Sequence, residues 1–145
     1  MGMTTEQVHQ IRKSFERVEA MGHVAALVFY QRLFAMAPGV RPLFHTNIET
    51  QAKKLTDMLA AAISLLERPS ELESVLFRLG ARHVEYGAKA EHYPVVAQAL
   101  LDMLAEVLGG EFTPALRGAW SEMLHIVSNT MLAGAEKAGN IQRVA

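Results

Sequence analysis

The chain has no cysteine among its 145 residues, which excludes disulfides, thiolate metal sites and cysteine nucleophiles. It also lacks any apolar run of the about 18 residues that a membrane helix needs, so we expect no membrane association. Neither sign of charge dominates: 14 Lys and Arg against 15 Asp and Glu give a net charge of −1. This balance offers no basis for nucleic-acid binding. The N-terminal segment carries no signal or transit pattern, and we expect a cytoplasmic protein.

Common catalytic motifs are missing as well. The sequence has no glycine-rich phosphate loop, no G-x-S-x-G turn and no H-E-x-x-H helix, which argues against nucleotide-binding, α/β-hydrolase and zinc-protease functions. Hydrophobic residues make up 50% of the chain, an ordinary share for a globular protein. The length suits one domain, which we expect to cover residues 1–145.

Apolar residues recur with the period of an α-helix along almost the whole chain, and no segment alternates convincingly with the period of a β-strand. The sequence therefore predicts an all-α domain of six long helices and one short turn around a single core. The predicted helices run from Thr4 to Gly22, over about 23–37, 49–66 and 70–86, from the turn that contains Pro94 to Gly109, and over about 114–137, with the short turn at 40–44. Three capping patterns support these starts: Thr4 with Gln7, Ser70 with Glu73, and Thr113 before Pro114.

His83 is the most informative polar residue. It shares one helix face with Leu72, Leu76 and Leu79, and this spacing turns the imidazole toward the core. A core histidine is most often simply hydrogen-bonded. A neutral imidazole is also the commonest metal ligand, and one such residue is what a haem iron needs on its proximal side. The periodicity leaves both interpretations open.

Two more polar residues fall on apolar faces: Gln51 in line with Leu55, and Tyr30 in line with Phe34. Buried amides and phenols need hydrogen-bond partners. Each residue has an ordinary explanation, which is partial solvation near a helix end for Gln51 and an amphipathic core position for Tyr30. The spacing does not exclude a ligand-binding role for either one.

Two sequence blocks resemble a known family. The first is V-F-Y-Q-R-L-F at 28–34, followed by P-G-V-R-P-L-F at 38–44. The second is L-G-A-R-H-V-E-Y-G at 79–87, followed by H-Y-P-V-V at 92–96 and two leucines at 100–101. They are similar to bacterial single-domain globins of the Vitreoscilla type and to the globin domain of flavohaemoglobins. The resemblance covers nearly the whole chain and implies the globin fold.

The resemblance also implies haem b (iron protoporphyrin IX) as cofactor. His83 would ligate the iron on one side, and Tyr30 and Gln51 would form a polar pair on the other. The residues that would contact the haem are Phe44, Lys54, Leu55, Leu79, Tyr93 and Val96. Within this set, Lys54 would pair with a propionate and Tyr93 would lean on the proximal imidazole.

One departure from the family concerns the last helix. In flavohaemoglobins a glutamate there forms a hydrogen-bonded triad with the proximal histidine and the neighbouring tyrosine. Counted from Trp120, the corresponding position is Ala135, and Glu136 is one residue further on. Either the register shifts or the triad is absent. Without a carboxylate the imidazole is less electron-rich, which argues against a peroxidase-like or flavohaemoglobin-like role.

The function implied by the resemblance is reversible binding of dioxygen and of other diatomic ligands, such as nitric oxide and carbon monoxide. Hydrogen bonds from Tyr30 and Gln51 would make oxygen binding tight and release slow. The alternative is a nitric oxide dioxygenase, which oxidises nitric oxide to nitrate. We expect such an enzyme to depend on a separate reductase, since the sequence ends at Ala145 without a flavin-binding part.

Several further interpretations stay open. His45 is the histidine that could serve as a second axial ligand, although Gln51 occupies the expected distal position. A globin that acts as a sensor or holds no haem, and a non-globin helical interaction module, are also compatible with the pattern. We expect a monomer or homodimer, with no nucleic-acid partner.

Overall fold

Six α-helices and two short 3₁₀ helices make up the computed structural model, which describes residues 3–44 and 47–144. The α-helices are α1 (Thr5–Ala20), α2 (His23–Met36), α3 (Ile48–Ser64), α4 (Pro69–Glu85), α5 (His92–Leu108) and α6 (Pro114–Val144). One 3₁₀ helix, the turn helix, spans Pro38–Leu43, and the other spans Gly109–Glu111. The described residues contain no strand. The prediction of an all-α chain with six long helices and a short turn helix is confirmed.

Local capping fixes the start of α1 as predicted. The Thr4 hydroxyl accepts a hydrogen bond from the backbone N–H of Gln7 at 3.1 Å, and the Gln7 side chain accepts one from the backbone N–H of Thr4 at 3.0 Å. The start of α6 is confirmed too, because the Thr113 hydroxyl accepts from the backbone N–H of Leu116 at 3.2 Å.

The second predicted capping box is wrong. Ser70 lies inside α4, which already begins at Pro69, and the preceding Arg68 makes no side-chain cap. Proline suits the first helical position because its ring fixes φ and its missing N–H would have had no partner there. The helix therefore starts at Pro69, before the serine.

The last helix is longer than predicted. It continues past Lys137 and through Gly139 to Val144, because Gly139 does not adopt a positive φ and so does not break the helix. By contrast, Gly87 and Gly109 have φ values of 87° and 57° and terminate α4 and α5. Both helices end within one residue of the predicted ends.

A buried hydrogen bond joins the first and last helices. Trp120 is 1% exposed, and its indole N–H donates to the Ser14 hydroxyl at 2.9 Å. Ser14 in turn donates to the carbonyl of Ile11 at 2.9 Å. On α2, Leu27 is 40% exposed whereas Leu33 is buried. No helix in the described part of the chain is long and apolar enough to cross a membrane.

Two glycines let α4 and α6 touch backbone to backbone. A Cβ atom on Gly80 would lie 1.9 Å from the carbonyl oxygen of Met131, and one on Gly134 would lie 1.9 Å from that of Phe77. Residue numbers rise on one helix as they fall on the other, so the helices run antiparallel at this contact. Gly80 precedes His83 by three residues, so this contact fixes the part of α4 that carries His83.

A gap separates α3 from α4, because the two helices pack on different partners. Helix α4 packs on α6, whereas α3 packs on α2 and α1. Within the described residues α3 and α4 are not a closely packed pair. Because α4 carries His83 and α3 carries Gln51, the gap separates the two sides of the predicted site.

Candidate functional site

The imidazole of His83 is held in one tautomer near the end of α4. Its Nδ1 lies 2.8 Å from the main-chain carbonyl oxygen of Leu79, one helical turn earlier. A carbonyl oxygen can only accept, so Nδ1 carries the hydrogen and Nε2 carries the lone pair. Burial lowers the pKa of His83 and outweighs the raising effect of the bond to Leu79. The half-buried ring is therefore a neutral imidazole at pH 7, with Nε2 as its electron-pair donor.

Tyr30 stands in an aromatic cluster at the other side of the site. Its ring centroid lies 4.9 Å from that of Phe29, 5.8 Å from that of Phe34 and 5.5 Å from that of Phe44. The residue is 4% exposed, and this burial raises the pKa of Tyr30 to about 12. The phenol therefore keeps its proton at neutral pH and acts as a hydrogen-bond donor.

Tyr30 and Gln51 are in contact, as the sequence suggested, but through the main chain of Gln51. The Tyr30 hydroxyl donates to the main-chain carbonyl of Gln51 at 3.1 Å, not to its side-chain amide. Gln51 is half-buried in the first turn of α3, where Asn47 caps the helix by accepting from Thr50 N at 2.8 Å. A ligand that takes the Tyr30 hydrogen bond must compete with this carbonyl.

The apolar residues predicted to contact the haem share an intermediate burial. Each is packed against the core yet remains half-buried, and they are Phe44, Leu55, Leu79 and Val96. Neighbours one turn away on the same helices, Leu59 and Leu76, are 5% and 2% exposed. The predicted contact residues thus keep accessible apolar surface, as expected where a large planar group is to be covered. Lys54 is exposed on α3, as a residue predicted to pair with a propionate should be.

Tyr93 contributes a buried hydroxyl with no partner. Its ring centroid lies 6.5 Å from that of His83, and burial raises the pKa of Tyr93. No described residue hydrogen-bonds its hydroxyl. An unsatisfied buried phenol is uncommon in a native fold and marks a place where a partner is expected.

The α6 residues beside Tyr93 differ from Ala135 and Glu136, the positions that the resemblance implied. A cavity of about 290 Å³ between α5 and α6 is lined by Tyr93 together with Ser128 and Leu132, among others. Glu136 is exposed and makes no bond to the Tyr93 hydroxyl. Of the two alternatives left by the sequence, the described residues therefore favour the absence of a carboxylate triad.

Two features of the site were missed from the sequence. Tyr86 caps α4 and packs edge-on against His83, with ring centroids 5.3 Å apart, although it is 56% exposed. Gly80 positions His83 through the contact with α6, and an isolated glycine inside an amphipathic helix was the available signal. His45, the suggested second axial ligand, lies outside the described residues. The described residues form no group of three His, Asp or Glu that could hold a metal ion.

The sequence comparisons point to one family. The family model described as Globin matches residues 27–131. A flavohaemoprotein of Deinococcus radiodurans is 30% identical over 138 residues, which are 93% of this chain and 34% of that protein. A flavohaemoprotein of Chromobacterium violaceum is 32% identical over 135 residues, 90% of this chain and 33% of that protein. The chain thus spans about a third of the length of these curated relatives.

Solved structures show the same similarity over the whole fold. A bacterial globin from Campylobacter jejuni superposes with a TM-score of 0.80 at 25% identity, covering 94% of this chain and 99% of that one. An engineered carbene transferase from Rhodothermus marinus, described as a candidate nitric oxide dioxygenase, also superposes with a TM-score of 0.80. Its identity is 27%, and the alignment covers 98% of this chain and 97% of that one.

Proposed function

The chain belongs to the globin family, and from this premise we propose that it holds one haem b and reversibly binds dioxygen and other diatomic ligands. The family and the flavohaemoprotein relatives imply haem binding. The assignment of haem b, of the ligands and of the residues below is the proposed part. The observation that carries it is the His83 imidazole, whose Nδ1–H is engaged by Leu79 at 2.8 Å and whose Nε2 keeps its lone pair.

The surrounding residues fit a haem in the gap between α3 and α4. When bound, haem would supply an iron that can bind an imidazole together with a diatomic ligand. His83 would bind the iron through Nε2, and the Leu79 carbonyl fixes the orientation of the ring. The half-buried apolar groups of Phe44, Leu55 and Val96 would cover the macrocycle and keep water away from it.

Tyr30 and Gln51 would set the affinity for dioxygen. The protonated Tyr30 hydroxyl is a donor, and its present acceptor is a main-chain oxygen of the same helical turn that presents Gln51. In a site with little water, each hydrogen bond to a partly charged ligand counts for more than it does in bulk solvent. We therefore propose tight oxygen binding with slow release, which suits a store or scavenger better than a carrier.

The first test is an absorption spectrum of the haem-reconstituted protein before and after dithionite and carbon monoxide. We expect a Soret band that shifts sharply with carbon monoxide, and we expect His83→Ala to abolish or alter that shift. The control is His125→Ala, since His125 is an exposed α6 residue that bonds to Asn129 at 3.0 Å. A reconstituted protein with no Soret band would overturn the proposal, and so would a His83→Ala variant with an unchanged spectrum.

A second candidate function is nitric oxide dioxygenase activity with a separate reductase as electron source. It is favoured by the relatives named flavohaemoproteins and by the similarity to a candidate nitric oxide dioxygenase. His83 donates to a carbonyl and not to a carboxylate. A carbonyl leaves the imidazole less electron-rich than a carboxylate would, and this difference favours reversible binding. The discriminating measurement is whether nitric oxide bleaches the oxygenated form stoichiometrically and whether a cellular reductase restores it quickly.

We also propose a cytoplasmic monomer or homodimer. Gel filtration with light scattering, at several protein concentrations, measures the mass of the assembly directly. A mass that does not change on dilution and equals one or two copies of the 16.0 kDa chain is the expected result, and a larger assembly would contradict it.

A further inference from the structure

The chain has few side chains that can lose a single electron easily. It contains no cysteine, one tryptophan and three tyrosines, and these four residues all lie in the described structure. Trp120 is 1% exposed, Tyr30 is 4% exposed and Tyr93 is 9% exposed. Tyr86 differs sharply, with 56% of its surface exposed. It is therefore the one tyrosine or tryptophan that presents its ring to the solvent.

Tyr86 is also in direct contact with the residue proposed to ligate the iron. Its ring meets the His83 ring edge-on, at a centroid distance of 5.3 Å and an interplanar angle of 63°. Its backbone N–H donates to the carbonyls of Arg82 at 3.3 Å and His83 at 3.1 Å. These bonds anchor the backbone of Tyr86 at the end of α4, where a ring–ring contact of this geometry is stabilising.

We propose that Tyr86 carries one-electron oxidising equivalents from the proximal side of the haem site to the protein surface. The proposal rests on the proposed haem function. Its chemical consequence is that hydrogen peroxide oxidises Tyr86 and couples two chains through a Tyr86–Tyr86 dityrosine bond. Tyr86 is thus both a redox-active residue and a site of covalent modification.

The reaction balances with peroxide as the named oxidant. Each of two Tyr86 phenols gives up one electron and its hydroxyl proton, and the two resulting ring radicals join through a carbon–carbon bond. The rings regain aromaticity by moving a proton from each coupling carbon to the oxygen. One molecule of peroxide accepts the two electrons and two protons, its O–O bond breaks, and two molecules of water form. Exposure of Tyr86 allows both steps, since its proton can pass to water and its ring can meet that of a second chain.

Tyr93 is the competing residue, because its ring centroid is 6.5 Å from that of His83. Its hydroxyl is buried and has no hydrogen-bond partner among the described residues. Oxidation of Tyr93 therefore has no hydrogen-bonded proton acceptor among the described residues, and the buried ring cannot meet that of a second chain. The geometry favours Tyr86 as the position where the oxidising equivalent reaches the surface.

The test treats haem-loaded protein with an equimolar amount of hydrogen peroxide. The readouts are dityrosine fluorescence, a covalent dimer on a denaturing gel and the cross-linked peptide by mass spectrometry. We expect all three in the unmodified protein and their loss in Tyr86→Phe. Cross-linking in haem-loaded Tyr86→Phe, no cross-linking in the haem-loaded unmodified protein, or a cross-linked peptide that carries Tyr93 instead of Tyr86 would each overturn the proposal.

A relocated tyrosine separates contact with His83 from mere exposure. Glu16 is exposed on α1, and α1 is not closely packed against α4 in the described structure. We expect the double variant Tyr86→Phe, Glu16→Tyr to remain without cross-links. Restored cross-linking would show that any exposed tyrosine suffices and would overturn the relay. The Soret band, recorded first, shows whether haem is bound, so that failure of the haem proposal is distinguished from failure of the relay.

Discussion

At the scale of single residues, the Tyr30 hydroxyl is buried and makes one long hydrogen bond. Its bond to the Gln51 carbonyl is 3.1 Å long, and that carbonyl also belongs to the first turn of a helix. A partly charged diatomic ligand is a better acceptor than a carbonyl that already has another donor. The hydroxyl can therefore change partner when a ligand is present without leaving a buried group unpaired.

Replacing Tyr30 by phenylalanine tests this exchange. We expect the dioxygen dissociation rate of the haem-loaded protein to rise by roughly ten- to a hundredfold, because one hydrogen bond worth about 1–3 kcal/mol is lost. Stopped-flow replacement of dioxygen by carbon monoxide measures the rate. Glu16→Gln, a change at an exposed position of α1, serves as the control and should leave the rate unchanged. An unaltered rate in Tyr30→Phe would show that Gln51 or water supplies the stabilising donor instead.

The same residue predicts a loss of stability at alkaline pH. Burial raises the pKa of Tyr30 to about 12, above the about 10 of an unfolded chain. The folded state thus favours the protonated phenol, and this contribution is fully present below pH 10 and is lost as the pH rises toward 12. Urea unfolding at about pH 9 and about pH 11 should show a larger decrease for the unmodified protein than for Tyr30→Phe. Equal decreases would contradict the proposed burial of the phenol.

At the scale of helices, the α4–α6 contact controls where His83 lies. The contact requires glycine at both Gly80 and Gly134, because a methyl group at either position would overlap a main-chain carbonyl of the facing helix. Backbone atoms cannot move aside as a flexible side chain can. The two helices must separate or slide, and His83 moves with them.

Gly80→Ala is therefore expected to destabilise the fold by about 1–3 kcal/mol, as overpacking of a core does. Gly118→Ala is the matched control, since Gly118 lies in α6 with no heavy atom within 4 Å of an added Cβ. Alanine there should be neutral or stabilising by up to about 1 kcal/mol, through helix propensity alone. Chemical unfolding of both haem-free variants gives the comparison. A Gly80→Ala protein as stable as Gly118→Ala would show that the helices are not in contact.

Periodicity and capping were sufficient to predict the six helices, because amphipathic stripes and residues such as Thr4 and Thr113 act locally. The start of α4 and the end of α6 were misplaced where two local signals competed, as with Ser70 against Pro69. Tertiary contacts left no such signal. Only a glycine inside a helix hinted at the Gly80 contact, and nothing in the sequence showed that Tyr30 would bond to a main-chain oxygen.

The candidate site could be predicted from the sequence to about the same extent as the helices. His83 stood out because an imidazole continued an apolar stripe, and its bond to Leu79 follows from the four-residue spacing of a helix. Tyr86 escaped notice because its contact with His83 depends on the side-chain direction at the last turn of α4. A sequence pattern reports which face a residue occupies, but not which ring it touches there.

At the scale of the whole molecule, the proposed site joins elements that are far apart in sequence. Tyr30 comes from α2, Phe44 from the end of the turn helix, Leu55 from α3, His83 from α4 and Val96 from α5. An unfolded chain cannot bring these five positions together. A haem held by all of them therefore binds the folded state almost exclusively and stabilises the entire domain by mass action.

The expected result is an unfolding midpoint that rises with haem concentration. Free haem about 100-fold above its Kd should add about 2.7 kcal/mol to the free energy of unfolding. The emission of Trp120, which is 1% exposed, and far-ultraviolet circular dichroism should report the same midpoint at each haem concentration, since the helices share one core. His83→Ala should reduce the increment because it removes the residue that would bind the iron, whereas Gly118→Ala should keep it. Equal midpoints with and without haem would mean that the haem associates with the surface and that the gap between α3 and α4 has another purpose.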